Sequence, residues 1–135
     1  MLIMSSSVAF NGKSLRKMRH IESGIQKAFV KWFRLQYPQY ALNLTSVPNG
    51  GLRGKTEAAI MKAEGMTAGA ADLLLLVPRG NFGVLGIEFK TQAKGSRQSD
   101  AQKRWQEAFE RAGNKYAIVR TFEEAMDVAK NYMSL

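Results

Sequence analysis

The spacing of apolar residues in the first third of the chain predicts one amphipathic helix over residues 20–37. These residues recur at i, i+4, i+7, i+8 and i+11, which is the spacing of a single helix face. They are Ile21, Ile25, Ala28, Phe29 and Trp32. Pro38 follows, and the helix is expected to end before it because proline disfavours a helical backbone at the preceding residue.

Weaker patterns follow in the middle of the chain. Residues 40–47 predict a weak strand, and "PNGG" at residues 48–51 predicts a turn. Residues 56–63 predict a short helix. That helix is expected to stop at Gly65, because glycine readily adopts the left-handed conformation found at helix ends.

The most hydrophobic stretch predicts two strands of one hairpin. Residues 71–77 and 84–90 are the two apolar runs, and "PRGNF" at residues 78–82 has the length of a hairpin loop. The two strongest strand patterns are therefore adjacent in the sequence and are joined by a short loop.

Helical and strand patterns alternate in the last third. Residues 99–112 predict a helix that ends at Gly113, residues 115–120 predict a strand, and Thr121 with Glu124 forms the capping box of a last helix. The apolar face of the first of these helices consists of Ala101, Trp105, Ala108, Phe109 and Ala112. The resulting strand–helix–strand unit predicts an α/β fold with a central mixed sheet flanked by helices.

The hairpin carries two acids inside its hydrophobic stretch. With Gly80 at the centre of the turn, Leu74 faces Gly86 and Asp72 falls opposite Glu88. Directly opposed side chains have Cβ atoms about 4.5–5.5 Å apart. Two carboxylates at that distance repel each other, and the repulsion grows as water is removed.

A divalent cation would remove this conflict. Asp72, Glu88 and Lys90 share one face of the hairpin because side chains alternate along a strand. Magnesium prefers carboxylate oxygens, with water and a substrate phosphate completing its shell. Lys90 could hold the attacking water or a phosphate oxygen, which gives the parts for metal-assisted hydrolysis of a phosphodiester. A plain ion pair at a sheet edge is the alternative, but unpaired charges are expensive in a stretch that otherwise resembles buried core.

Composition narrows the class of protein. The chain has 135 residues, which suits one domain over residues 1–135, with residues 1–19 expected to be flexible or peripheral. It has no cysteine, which excludes disulfides and thiolate metal sites, and its single histidine, His20, disfavours a His-rich zinc site or a Ser-His-Asp triad.

No run of apolar residues approaches the length of a membrane span and no signal peptide is predicted, so a cytoplasmic protein is expected. A formal charge of +9 favours nucleic acid as the partner.

An ordered set of motifs covers nearly the whole chain, from about residue 20 to residue 133. The motifs are Glu22 within "HIESGIQKAFVKWF", "VPNGGLR" at 47–53, "GMTAGAAD" at 65–72, "IEFK" at 87–90 and "SDAQKRWQ" at 99–106, followed by Gly113 and the last helix. In this order they resemble the VRR-Nuc family of the PD-(D/E)XK nuclease superfamily. The resemblance implies a restriction-endonuclease-like core. One departure is Ala71, where the family usually has proline before the aspartate.

Carried over residue by residue, the resemblance implies a site for Mg²⁺ or Mn²⁺. Asp72 and Glu88 would ligate the metal together with the backbone carbonyl of Phe89. Lys90 would position or activate the nucleophilic water. Glu22 would join the site through a metal-bound water or as an extra ligand, although a glutamate on a helix is commonly just solvated.

The resemblance also places Gln102 beside Lys90, in support of the catalytic group. The sequence alone gives Gln102 a second role, because Ser99 and Gln102 have the spacing of a capping box. The basic residues around the proposed site are expected to contact DNA phosphates, which gives affinity with little sequence information. They are Arg53, Lys94, Arg97, Lys103 and Arg104.

Small stand-alone members of that family are viral or bacterial homodimers that cut branched DNA. The resemblance therefore implies a homodimeric, metal-dependent DNA endonuclease of the Holliday-junction resolvase type, encoded by a phage or prophage and acting in the bacterial cytoplasm. Two alternatives remain at this point. One is a nuclease of the same fold that acts on flaps, nicks or duplex DNA, and the other is a non-catalytic nucleic-acid-binding module.

Overall fold

The computed structural model describes residues 12–48 and 54–135. Helix α1 spans Gly12–Gln36, so it begins eight residues before the predicted start at residue 20 and includes residues 12–19, which were expected to be flexible or peripheral. Pro38 stops it as predicted. The first half of the strand predicted over residues 40–47 is instead part of a 3-10 helix, Pro38–Asn43, and only Leu44–Ser46 forms strand β1. Proline fixes the φ angle that starts such a turn, and this local effect overrides the weak strand pattern.

The remaining elements follow the predicted order. They are helix α2 at Lys55–Ala63, strand β2 at Leu73–Leu75, strand β3 at Leu85–Phe89, helix α3 at Asp100–Arg111, strand β4 at Lys115–Val119 and helix α4 at Phe122–Met133. Gly65 follows α2 with a φ of 109°, which confirms its predicted role as a stop. The turn predicted over residues 48–51 lies mostly outside the described residues, since only Pro48 belongs to them.

The sheet has the order β1-β2-β3-β4 and is mixed, as predicted. Strands β1, β2 and β3 are antiparallel neighbours, while β3 and β4 are parallel and are joined by α3. Leu74 pairs with Gly86 and Leu73 pairs with Ile87, so the predicted hairpin register is confirmed. Near the turn Arg79 pairs with Phe82, one residue out of that register, so the ladder shifts only at the loop end.

Helices α1 and α4 cover one face of the sheet, and α3 covers the other. Phe29 and Phe33 of α1 are fully buried, and the ring centroids of Phe29 and Phe89 are 6.1 Å apart. Two residues of the predicted apolar face, Ile21 and Ala28, are exposed, because the helix packs about a face centred on the two phenylalanines.

The opposite face is less deeply covered. Trp105 and Phe109 of α3 stack with centroids 4.5 Å apart and are half-buried, whereas Ala108 and Ala112 are exposed and do not belong to the buried face. A Cβ at Gly86 of β3 would lie 2.8 Å from the Phe109 ring. This glycine therefore lets α3 approach the strand that carries Glu88.

The ends of the last two helices are capped by their own side chains. Ser99 and Gln102 form the predicted reciprocal capping box of α3. At α4 the Thr121 hydroxyl accepts from the Glu124 N–H, but Glu124 Oε1 accepts from the N–H of Arg120. The predicted capping box therefore forms only in part. Within the described ranges, each helix is too short or too polar to cross a bilayer.

Candidate active site

Asp72 stands directly before β2 and faces the end of β3. Because Leu73 pairs with Ile87, the next position along places Asp72 opposite Glu88, as the hairpin register predicts. Asp72 Oδ2 accepts a hydrogen bond from the Phe89 N–H at 2.7 Å. The Asp72 backbone carbonyl accepts from the Val47 N–H at 2.9 Å. The Asp72 side chain thus takes the place of a neighbouring strand as hydrogen-bond acceptor for β3. The Asp72 backbone still makes a sheet-like hydrogen bond to Val47, next to β1.

Glu88 is the most enclosed acid of the site, with 3% of its surface exposed. Its Oε2 accepts from Gln102 Nε2 at 3.0 Å and lies 4.0 Å from Lys90 Nζ, at the limit of an ion pair. Its other oxygen, Oε1, is buried and has no hydrogen-bond partner among the described residues. A buried carboxylate oxygen in that state costs free energy, so the geometry favours a further ligand there.

Glu22 reaches the same site from α1. Its Oε2 accepts from Ser96 Oγ at 3.5 Å, and Ser96 Oγ in turn accepts from the Thr91 N–H at 2.9 Å. Arg120 Nη1 donates to the carbonyls of Thr91 and Ser96, at 2.5 and 2.7 Å. These contacts hold the segment after β3 against both α1 and the end of β4.

Sequence reasoning did not identify Ser96, Thr91 or Arg120. Ser96 and Glu22 are 74 residues apart in the chain, and no local pattern links them. Arg120 stood in a predicted strand without an assigned role. Buried polar residues that follow a strand and a candidate site lysine are a signal only once the fold is known.

The electrostatics of the three acids are dominated by burial. Burial raises the pKa of Glu88 to about 9, helped by the charge of Asp72 and opposed by Lys90. Burial also raises the pKa of Asp72, although the hydrogen bond from the Phe89 N–H lowers it. Burial raises the pKa of Glu22 as well, although the positive charge of Lys90 lowers it. Buried carboxylates close to one another resist being ionised together, and a bound cation instead favours their ionised form.

The donor set fits a hard divalent cation. Carboxylate oxygens, a backbone carbonyl and water are the ligands that Mg²⁺ accepts, and the partnerless Glu88 Oε1 is available. Across residues 12–48 and 54–135, no three acidic or histidine side chains are grouped closely enough to form a ligand cluster. The predicted set of Asp72, Glu88 and the Phe89 carbonyl accordingly draws one ligand from the backbone.

A cleft of about 610 Å³ opens at these residues. Glu22, Asp72 and Arg19 line it together with Val47 and Pro48. It therefore offers room for a substrate beside Asp72 and Glu22.

The five predicted DNA-binding residues fall into three groups. Lys94 and Arg97 are exposed on the segment between β3 and α3, and Lys103 and Arg104 are exposed on the first turns of α3. Arg53 lies outside the described residues. Contact of any of them with DNA stays a prediction.

A mixed sheet that carries two opposed acids and a lysine at the end of its central strands defines the class as a nuclease-type fold. The chain belongs to the VRR-NUC family, because the model of the VRR-NUC domain matches residues 12–123. A solved structure described as a VRR_NUC domain protein is 25% identical, covers 84% of this chain and 88% of its own, and aligns with a TM-score of 0.73. Another, described as a VRR_NUC domain, is 19% identical over 83% and 97% of the two chains, with a TM-score of 0.48. No curated protein matches the sequence.

Proposed function

We propose that this protein is a divalent-metal-dependent DNA endonuclease that hydrolyses phosphodiester bonds. One observation carries the proposal: Glu88, which lies opposite Asp72, has a buried oxygen without a hydrogen-bond partner among the described residues, while Gln102 and Lys90 lie around its other oxygen. An ion pair at a sheet edge would be solvated and would not need the Gln102 contact. Membership of a nuclease-type family supports the same chemistry.

Each residue of the candidate site has a distinct part in the proposed reaction. Asp72, Glu88 and the Phe89 carbonyl would hold the cation, and Glu22 would act through a bound water. When bound, the cation would polarise a phosphoryl oxygen and lower the pKa of a water molecule. Lys90 contributes a positive charge 4.0 Å from Glu88 Oε2, where it can orient the water or offset charge on the phosphate.

The positioning residues keep that arrangement rigid. Gln102 donates to Glu88 from the first turn of α3 and leaves the second Glu88 oxygen available. Asp72 is oriented by the Phe89 N–H, which lies within the same strand as Glu88. Fixing ligands through such hydrogen bonds commonly sets metal affinity and activity.

The proposed substrate is branched DNA, cut as by a Holliday-junction resolvase, and the proposed assembly is a homodimer. Exposed Lys and Arg side chains suit phosphate contacts, which read nucleic-acid shape more than sequence. A two-fold enzyme matches a two-fold junction that needs two symmetric cuts. The cell in which it acts is proposed to be bacterial, with the gene carried by a phage or prophage.

The test uses a labelled four-way junction, a flap, a nicked duplex and a linear duplex, each with Mg²⁺ or Mn²⁺. The intact protein is compared with Asp72→Asn and Glu88→Gln, and with Glu107→Gln as an exposed glutamate control on α3. We expect symmetric cuts in the junction that require metal, and binding without cutting in the two site variants.

The other results decide between the alternatives. Equal cutting of linear duplex would keep the metal chemistry and reject junction selectivity. DNA binding without cutting under either metal would favour a non-catalytic module. Full activity of Glu88→Gln would remove the proposed site.

A further inference from the structure

A basic groove leads away from the catalytic cleft along helix α1 and the exposed edge of the sheet. It has a volume of about 470 Å³ and lies between α1 and strand β1, with Leu44 and Leu73 as its apolar floor. Ser23, Gln26 and Ser46 line both this groove and the catalytic cleft. The two cavities are therefore neighbours that share part of their lining, and the cleft lies beside Asp72.

The wall formed by α1 is strongly positive. This helix carries seven Lys or Arg residues and one acid, Glu22, which lies at the catalytic end. Beyond that end the wall presents Lys27, Lys31 and Arg34, and no described residue lining the groove is acidic. Lys27 and Lys31 are exposed, and neither forms an ion pair within the described part of the chain.

Arg34 closes the far end of the groove in a fixed position. Its Nε donates to the Ala41 carbonyl at 3.4 Å and its Nη2 donates to the Leu44 carbonyl at 3.3 Å. The guanidinium is thus hydrogen-bonded to Leu44, the first residue of β1. This contact holds the positive side of α1 against the strand that it faces. Lys27 and Lys31, one turn apart, point along the same flank.

The length of the wall matches a short stretch of a DNA strand. Twelve residues separate Glu22 from Arg34, which is about 18 Å along a helix. One strand advances about 3.4 Å per phosphate along the duplex axis, but its winding backbone spaces neighbouring phosphates about 6–7 Å apart, so this distance covers about three phosphates of a strand that lies in the groove. Polar and positive side chains over a narrow apolar floor suit a sugar–phosphate backbone better than an apolar peptide.

We propose that the groove between α1 and β1 holds the phosphate backbone of a DNA arm, with Lys27 and Lys31 as phosphate contacts. The inference rests on the proposed function, since it names a binding surface for the same substrate. It adds a second basic surface on the sheet face opposite α3. DNA would then be held on both sides of the cut: by this groove, and by the exposed Lys and Arg residues near α3.

The first test measures DNA affinity as a function of salt, in an Asp72→Asn background that prevents cutting. The double variant Lys27→Gln, Lys31→Gln is compared with Lys115→Gln, Lys130→Gln. The control pair has the same loss of charge but lies at the hairpin end of the sheet and on α4. All variants use the full chain and the same junction and duplex.

We expect the groove variant to bind about ten-fold more weakly near 0.1 M salt, with a salt slope lower by about 2. The control pair should change the slope much less. A groove variant that keeps the slope of its parent overturns the inference. If the Asp72→Asn parent binds no DNA, both the groove proposal and the proposed function fail. If this parent binds DNA and the intact protein cuts it, the proposed function stands whatever the groove variant shows.

A second test locates the DNA directly. The chain has no cysteine, so Gln26→Cys, Lys31→Cys and the control Lys115→Cys each create a unique attachment point for a photoactivatable label. We expect cross-links within about five base pairs of the cut, farther from it for Lys31→Cys than for Gln26→Cys. Cross-links from Lys115→Cys as strong as those from the groove would contradict the assignment.

Discussion

Gln102 donates a hydrogen bond to Glu88 at 3.0 Å, and this contact joins the first turn of α3 to the central strand β3. The same side chain accepts from the Ser99 N–H at 2.9 Å, so one residue both caps the helix and orients the buried carboxylate. The two roles predicted for Gln102 from the sequence are therefore compatible in one conformation. Its catalytic importance stays a prediction that mutation can test.

We predict that Gln102→Ala lowers junction cleavage by about 10–100-fold and raises the Mg²⁺ concentration needed for half-maximal rate. Loss of the donor would let Glu88 rotate away from the proposed cation. Ser99→Ala is the matched control, because it removes the other half of the capping box and leaves the Glu88 contact in place. That variant should lose about 1 kcal/mol of stability with cleavage nearly unchanged. Equal losses of cleavage would mean that helix capping alone explains the effect.

Gly69 sets the distance between the active-site entry and α3. It has a φ of 88°, and a Cβ there would lie 2.4 Å from the Ala101 carbonyl oxygen and 2.7 Å from the Gln102 nitrogen. The clashing atoms are backbone, so the first turn of α3 would have to move. This explains in physical terms the second glycine of the "GMTAGAAD" motif.

We predict that Gly69→Ala lowers the free energy of unfolding by about 2 kcal/mol more than Gly65→Ala does. Gly65 also has a positive φ, but no atom of the described residues lies within 4 Å of its Cβ position, so the pair separates steric conflict from backbone strain. Cleavage should fall in Gly69→Ala even at temperatures where it stays folded. Equal unfolding free energies for the two variants in a urea titration would contradict the steric argument.

The raised pKa of Glu88 predicts an unusual pH dependence in metal-free protein. Folding moves this pKa from 4.5 to about 9, so between these values the native state holds a proton that the unfolded chain has lost. The stabilisation is complete below pH 4.5 and disappears as pH rises to about 9. Stability should therefore fall with rising pH.

We expect that, in EDTA, Glu88→Gln gains at least about 5 °C in Tm over the intact protein when the pH is raised from about 5 to about 8.5. The amide removes the proton linkage but keeps an acceptor for Gln102. Mg²⁺ should restore the Tm of the intact protein at high pH and have less effect on the variant. Parallel pH profiles of the two proteins would show that Glu88 ionises normally.

Arg120 holds the segment that carries two predicted DNA contacts. Because its guanidinium donates to the carbonyls of Thr91 and Ser96, we predict that Arg120→Gln speeds hydrogen exchange of the Thr91 amide and weakens DNA binding several-fold. Arg79→Gln is the control, since Arg79 bonds the Met133 carbonyl at the other end of the sheet. Unchanged exchange of Thr91 in Arg120→Gln would show that Ser96 suffices to fix the segment.

The sequence by itself determined the elements of the second half and the pairing of the central hairpin. Both depend on neighbours in the chain: a period of two places Asp72 and Glu88 on one face, and a short turn fixes which residues oppose each other. The capping box at Ser99 is equally local. Where two local signals competed, as at Pro38 before the weak strand, the stronger backbone restriction prevailed.

Tertiary structure alone decided how these elements meet. The Ser96–Glu22 contact spans 74 residues, and the Arg120 contacts span 29 and 24, so no pattern of nearby residues encodes them. Lys27 and Lys31 can be placed on one helix flank from their spacing, but only packing shows that this flank faces β1. The rotation of α1 follows from burying Phe29 and Phe33 against the sheet. That packing brings Glu22 to the acids and opens the groove beside them, because a rigid helix that fixes one face also fixes the others.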